Sequence, residues 1–158
     1  MKTTSTPLRD FRQTVSLIKG AAKLFKSDIG TLAGLSAVEF FNHVRALPYV
    51  EDPDGIERVS RPAFTLDGSW NNSRDCDDKT LLMGAYFETH SVPWRIVVAG
   101  NSFDPLRGCF RPHHVYPEAM LNGQWIPFDA TFPDRSEIGK RLYADETGRE
   151  PFREVYAS

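Results

Sequence analysis

The chain, 158 residues long, predicts an α+β fold. Three observations carry that expectation. Apolar residues recur at helical spacing between residues 10 and 46. A further helix-like stretch after residue 75 leads directly into the β-forming run Arg95-Ile96-Val97-Val98-Ala99. Asn122-Gly123 then separates two apolar runs, the strongest short signal for a hairpin. Helices first, then a helix feeding an antiparallel hairpin, describe segregated layers rather than βαβ alternation. The length suits one domain, and a chain of this size buries about 70% of its unfolded surface without disulfide or metal staples.

The elements follow in order. Phe11, Val15, Ile18, Ala22 and Phe25 form one stripe of a helix over residues 10–26. Arg12, Lys19, Lys23 and Lys26 occupy its other faces. Packing on the chain's own core is the expectation for this helix, and a membrane-surface or partner-binding role is the alternative. A second helix runs from Ser36 to Ala46, with Ser36 and Glu39 spaced as a capping box. The Pro-, Gly- and Asp-rich stretch 51–72 reads as loop with at most one short strand. A third helix spans 75–90, where Asp77 and Asp78 suit the positive end of the helix dipole. The strand 95–99 is apolar enough to be central. Residues 101–112 read as loop, and 114–121 and 124–128 as the hairpin strands. After Pro133 the chain is charged and poor in apolar residues, so residues 1–133 are expected to form the domain and 134–158 a charged C-terminal tail.

Composition excludes several functions. A net charge of −2 argues against non-specific nucleic-acid binding. Cys76 and Cys109 are the two cysteines, too few for a disulfide scaffold or a four-thiolate zinc site. Cys76, Cys109, His113 and His114 lack zinc-ligand spacing, and Asp75, Asp77 and Asp78 fail the EF-hand pattern because Thr80 stands at its glycine position. No phosphate loop or dinucleotide fingerprint occurs, so no metal or cofactor is expected. Charged residues interrupt any N-terminal signal segment, and no apolar run approaches the ~20 residues of a membrane span.

Three residues carry the chemistry. Cys76 falls at a helix start, where backbone N–H groups favour a thiolate. Flanking Asp75, Asp77 and Asp78 oppose it and Arg74 offsets part of that repulsion. With Asn122-Gly123 as a two-residue turn, Tyr116 faces Asp129 and His114 faces Thr131. His114 and Asp129 are then diagonal neighbours on one sheet face, ~7–8 Å apart at the backbone. His113 falls on the opposite face. A carboxylate behind a histidine sets its tautomer, and the ring can then take a proton from a thiol. The weak point is Pro117, where a bulge would invert the parity.

These residues lie in blocks that resemble a known family. Arg74-Asp75-Cys76-Asp77-Asp78, then His114-Val115-Tyr116-Pro117-Glu118, then Gly123-Gln124-Trp125 through Asp129-Ala130-Thr131 are similar, in order, to G-D-C-x-D, H-x-[WY]-x-E and G-x-W-x-x-x-D-P-T of the transglutaminase-like superfamily. The resemblance covers residues 69–133 and implies a papain-like core (36–133), with Cys76 as nucleophile, His114 as base and Asp129 as orienting acid. Trp70, Asn71 and Asn72 are candidate oxyanion donors. Arg74 replaces the family glycine, and Ala130 the family proline. The stretches 49–53 and 57–62 further resemble the short versions encoded by tailed bacteriophages and prophages, which implies a host-cytoplasmic or virion-associated setting. The expected function is a cysteine protease or amidase acting on a protein or peptide. The alternatives are a catalytically idle structural or adaptor module of a phage particle, a protein-crosslinking transglutaminase, or a cell-wall peptide hydrolase.

Overall fold

The computed structural model describes residues 3–6, 11–52, 57–67 and 74–157, with backbone alone at 3–6 and 57. In chain order the elements are β1 (Thr3–Thr6), α1 (Phe11–Leu24), a 3₁₀ segment (Lys26–Gly34), α2 (Ala37–Ala46), β2 (Glu57–Ser60), α3 (Pro62–Leu66) and α4 (Cys76–Thr89). Then come β3 (Trp94–Gly100), β4 (Ser102–Asp104), β5 (Cys109–Arg111), β6 (His114–Leu121), β7 (Gln124–Pro127) and β8 (Phe152–Tyr156). Every strand pairing is antiparallel. The main sheet has the order β7-β6-β3-β8, and β1–β2 and β4–β5 are separate two-stranded ribbons. The α+β class expected from the sequence is the class observed.

The organising element is α4. Asp77 through Phe87 are buried without a break, so the helix is covered all round, as a core helix must be. α1, α2, α3 and the 3₁₀ segment cover it on one side and β6 on the other. α1 thus packs on its own core through Val15, Ile18 and Ala22. One of its lysines goes inward too: Lys19 Nζ donates to the Trp94 carbonyl at 2.7 Å and lies 3.9 Å from the centre of the Trp94 ring. The capping box read at Ser36 and Glu39 is present at the start of α2.

The hairpin register is the one the turn predicts, with Leu121 opposite Gln124 and Glu118 opposite Pro127. Asn122 (φ 52°) and Gly123 (φ 76°) are both left-handed, the geometry that makes Asn-Gly turns favourable. Pro117 does not bulge the strand. It accepts from Phe128 N at 2.9 Å but has no N–H to return, and β7 ends one residue earlier, at Pro127.

Several segments depart from the sequence reading. The loop 101–112 contains the β4–β5 hairpin, turning at Gly108 (φ 67°), and 51–72 contains α3 besides β2. The segment 134–158 is the larger departure. Its end, β8, pairs with β3 from Ile96↔Tyr156 to Gly100↔Phe152, and β3 becomes a central strand through it. The chain before β8 covers the sheet face opposite α4, which carries Arg95, Val97, Ala99, His114, Tyr116 and Glu118 in register. Glu118 is fully buried there and accepts from Arg95 (2.9 Å), Arg141 (2.8 Å) and Arg153 (3.1 Å). Glu150 accepts from the Tyr116 hydroxyl at 2.8 Å and pairs with Arg153. A strap bound by ion pairs needs few apolar residues, so it reads in sequence as a charged tail.

Candidate active site

Asp75 caps α4, its carboxylate accepting from Asp77 N at 3.1 Å, and Cys76 is the first helical residue. One turn further, Lys79 and Thr80 tie this end of the helix to the sheet. Thr80 Oγ1 donates to the Val115 carbonyl at 3.3 Å, beside His114. Lys79 Nζ donates to the carbonyls of Thr131 (2.9 Å), Leu47 (2.7 Å) and Arg45 (3.3 Å). Val50 and Arg74 exchange backbone hydrogen bonds of 2.8 and 3.4 Å, which brings the chain around Tyr49 to the helix start.

On the sheet, His114 Nε2 lies 2.6 Å from Asp129 Oδ2, and the two side chains are 2% and 1% exposed. The hairpin parity thus brings together the pair it selects. Asp129 Oδ1 accepts from Thr131 Oγ1 (2.6 Å) and Thr131 N (3.2 Å), so both carboxylate oxygens are held. A carboxylate accepts only. It therefore keeps the ring proton on Nε2 and leaves Nδ1 as the nitrogen able to receive a proton. His113 precedes β6, so strand alternation does not govern it. Its ring meets Tyr143 at 4.7 Å, but His114 is the histidine that holds a carboxylate.

An aromatic frame surrounds the His114 ring, with centroids of Tyr143, Tyr116 and Phe132 at 4.5, 6.0 and 6.3 Å. Tyr49 packs on Phe132 at 5.0 Å. Burial, and then the charge of Cys76, push the phenols of Tyr49 and Tyr143 up. Tyr143 is thus in electrostatic range of Cys76 and in contact with the His114 ring. Sequence reasoning missed Tyr143, on the strap, and Lys79, whose position three residues after Cys76 is its only signal. Cys76 is half-buried.

The acids around Cys76 divide. Burial and the neighbouring carboxylates push Asp75 up to about 12, and burial pushes Asp78 up to about 8. Both shifts favour the neutral carboxyl, which lessens the repulsion expected at Cys76. Arg74 carries its charge from inside the fold, near enough to act on Lys79 one turn past Cys76. It is 5% exposed, with its guanidinium bound to the carbonyls of Thr65 and Asp67 at 2.8 Å each. Cys109 lies exposed on β5, outside this cluster, and neither thiol is in a disulfide. Trp70, Asn71 and Asn72 lie outside the described residues.

Two groupings have the donor spacing of a cation site: Asp75, Cys76 and Asp77, and Asp52, Asp75 and Asp78, each with its atoms within 4.8 Å of one another. In the second, Ser60 N donates to Asp78 at 2.9 Å and Arg58 N to Asp52 at 2.6 Å, and Asp75 and Asp52 share a hydrogen bond. Backbone donors thus serve one oxygen each of Asp78 and Asp52, while Asp52 Oδ1 is buried without a hydrogen-bond partner among the described residues. Among the described residues no helix is long and apolar enough to cross a membrane. No protein-family model matches the chain, and neither a curated protein nor a solved structure matches it.

Proposed function

We propose that this chain is a thiol-dependent acyl-transfer enzyme with a papain-like core, acting on a protein or peptide. The His114–Asp129 pair carries the reading: a buried imidazole held at 2.6 Å by a carboxylate that is itself doubly anchored. Support comes from the half-buried thiol at the first position of α4. In the reaction, His114 Nδ1 takes the proton of the Cys76 thiol. The sulfur attacks a carboxamide carbonyl, the imidazolium returns the proton to the departing amine, and a thioester remains. Water, activated by the same imidazole, adds to the thioester and releases the acid and the thiol. Hydrolysis is the favoured outcome because water is the default acceptor. An amine in place of water would make the enzyme a crosslinking transglutaminase. The resemblance of the stretches 49–53 and 57–62 to short phage-encoded versions suggests a phage or prophage setting.

The test is the pH dependence of iodoacetamide labelling of Cys76, followed by peptide mass mapping so that Cys109 is scored separately. The expected profile inflects well below the unperturbed thiol value of ~8.5, and His114→Ala returns it to that value. A wild-type inflection near ~8.5 that His114→Ala leaves unchanged would overturn the enzymatic reading in favour of an idle structural module.

A further inference from the structure

A cavity of about 480 Å³ opens between the start of α1, the β4–β5 hairpin and β8. No member of the proposed thiol site lines it. Its floor is aromatic, with Phe110, Phe152 and Tyr156 among its walls. Its cations are Arg12 of α1 and Arg107 and Arg111 of the hairpin. Against these three guanidinium groups stands one carboxylate, Glu154, which already accepts from the Tyr156 hydroxyl at 2.5 Å. Arg107 reaches Asp104 only at 3.7 Å, and Arg111 forms no ion pair among the described residues. The chain as a whole carries a charge of −2, so the excess of guanidinium is local to this place.

β8 is the outermost strand of the sheet, and its outer edge has no strand partner among the described residues. Glu154 is paired with Val98, and Phe152, Glu154 and Tyr156 alternate onto the face that lines the cavity. A strand added along β8 would satisfy the edge N–H and C=O groups and send every second side chain over the cavity. There it would meet rings beneath and guanidinium groups at the rim.

We propose that the β8 edge and this cavity together bind an extended acidic peptide segment of a partner protein, with carboxylates at the rim and apolar side chains on the rings. One feature favours peptide over nucleic acid: the strand edge offers hydrogen bonds that only another peptide backbone completes. The site is separate from the thiol chemistry and does not depend on it.

Cys109 lines the cavity and is exposed, which makes it a reporter. In the full chain carrying Cys76→Ser, it is the sole thiol. The probe is a capped, fluorescein-labelled heptapeptide alternating Glu with Val and Phe, followed by anisotropy, with unlabelled peptide protecting Cys109 from iodoacetamide. The expected result is binding that weakens with added salt and protection of Cys109. Both should fall about tenfold or more in Arg12→Gln/Arg111→Gln and with the Gln-for-Glu peptide. Both arginines are exposed, and a thermal melt matching the parent shows that the variant is folded. Single Arg111→Gln is the second variant, expected to give a smaller loss in the same direction. The proposal is overturned if the glutamine peptide binds equally, if binding leaves Cys109 unprotected, if the folded arginine variants bind like the parent, or if a single-stranded oligonucleotide of equal charge displaces the peptide as well as unlabelled peptide does.

Discussion

At the scale of single residues, the site rests on how few degrees of freedom its groups retain. Asp129 is held on both oxygens, so Asp129→Asn should remove the acceptor that keeps the His114 proton on Nε2. The Cys76 alkylation rate at neutral pH should then fall roughly tenfold or more. Thr131→Val, which takes one hydroxyl from the same carboxylate, should act in the same direction and less strongly. Lys79 makes a different prediction. Burial pulls its ammonium down to about 8, against 10.5 for an ordinary lysine, with the charge of Asp129 opposing. Between those values the unfolded chain binds more protons than the folded one, so the stability contributed at Lys79 rises with pH across that window. Lys79→Met removes the donor to three carbonyls, one of them buried, and should cost about 2–3 kcal/mol. The gap between wild type and variant should widen from pH 8 to 10 in urea titrations. The helix-start position of Cys76 and the pairing of His114 with Asp129 were legible in the sequence because helix starts and hairpin parity are local. Tyr143 was not, because nothing near it in sequence indicates that it crosses the sheet to the His114 ring.

At the scale of elements, the readable parts are those with a cap or a turn. The Ser36–Glu39 box marks the start of α2, and Asn122-Gly123 sets the pairing of β6 with β7. α3, with five residues, and β4 and β5, with three each, are too short to show a period, and they formed where the sequence reads as loop. Gly123→Ala places a Cβ at φ 76° and should cost about 1 kcal/mol while preserving the register. The helix–sheet contact is tighter. Gly84 faces the Trp94 ring so closely that an added Cβ would overlap it. Gly84→Ala should therefore cost about 1–3 kcal/mol by overpacking, against the gain expected for alanine in an exposed helix. Chemical denaturation of the two variants separates these effects.

At the scale of the whole molecule, the strap decides what counts as the domain. Ending the chain after Ile138 removes Arg141, Tyr143, Glu150 and β8 together. It bares Val97, Ala99 and Tyr116 and leaves Glu118 with Arg95 alone. The truncated chain should bind a hydrophobic dye and lose cooperative unfolding in urea. Glu118 itself should tie stability to acid. Burial works to raise its carboxyl, but hydrogen bonds from Arg95, Arg141 and Arg153 outweigh it and hold the group below 4.5. The stabilisation is present above that value and is lost as pH falls through the lower folded one. Glu118→Ala should cost about 3–5 kcal/mol near neutrality. The part of the fold hardest to read was this strap, because the period of ion pairs along a chain is set by the sheet beneath it. The same arrangement gives the molecule an order of assembly. Synthesis runs from Cys76 through His114 and Asp129, and only afterwards reaches the tyrosine that lies against the His114 ring and the strand that encloses β3. On the ribosome the three groups of the proposed site therefore exist as polymer before they come together, and the Cys76 thiol comes under the influence of its completed surroundings only when the final strand has docked.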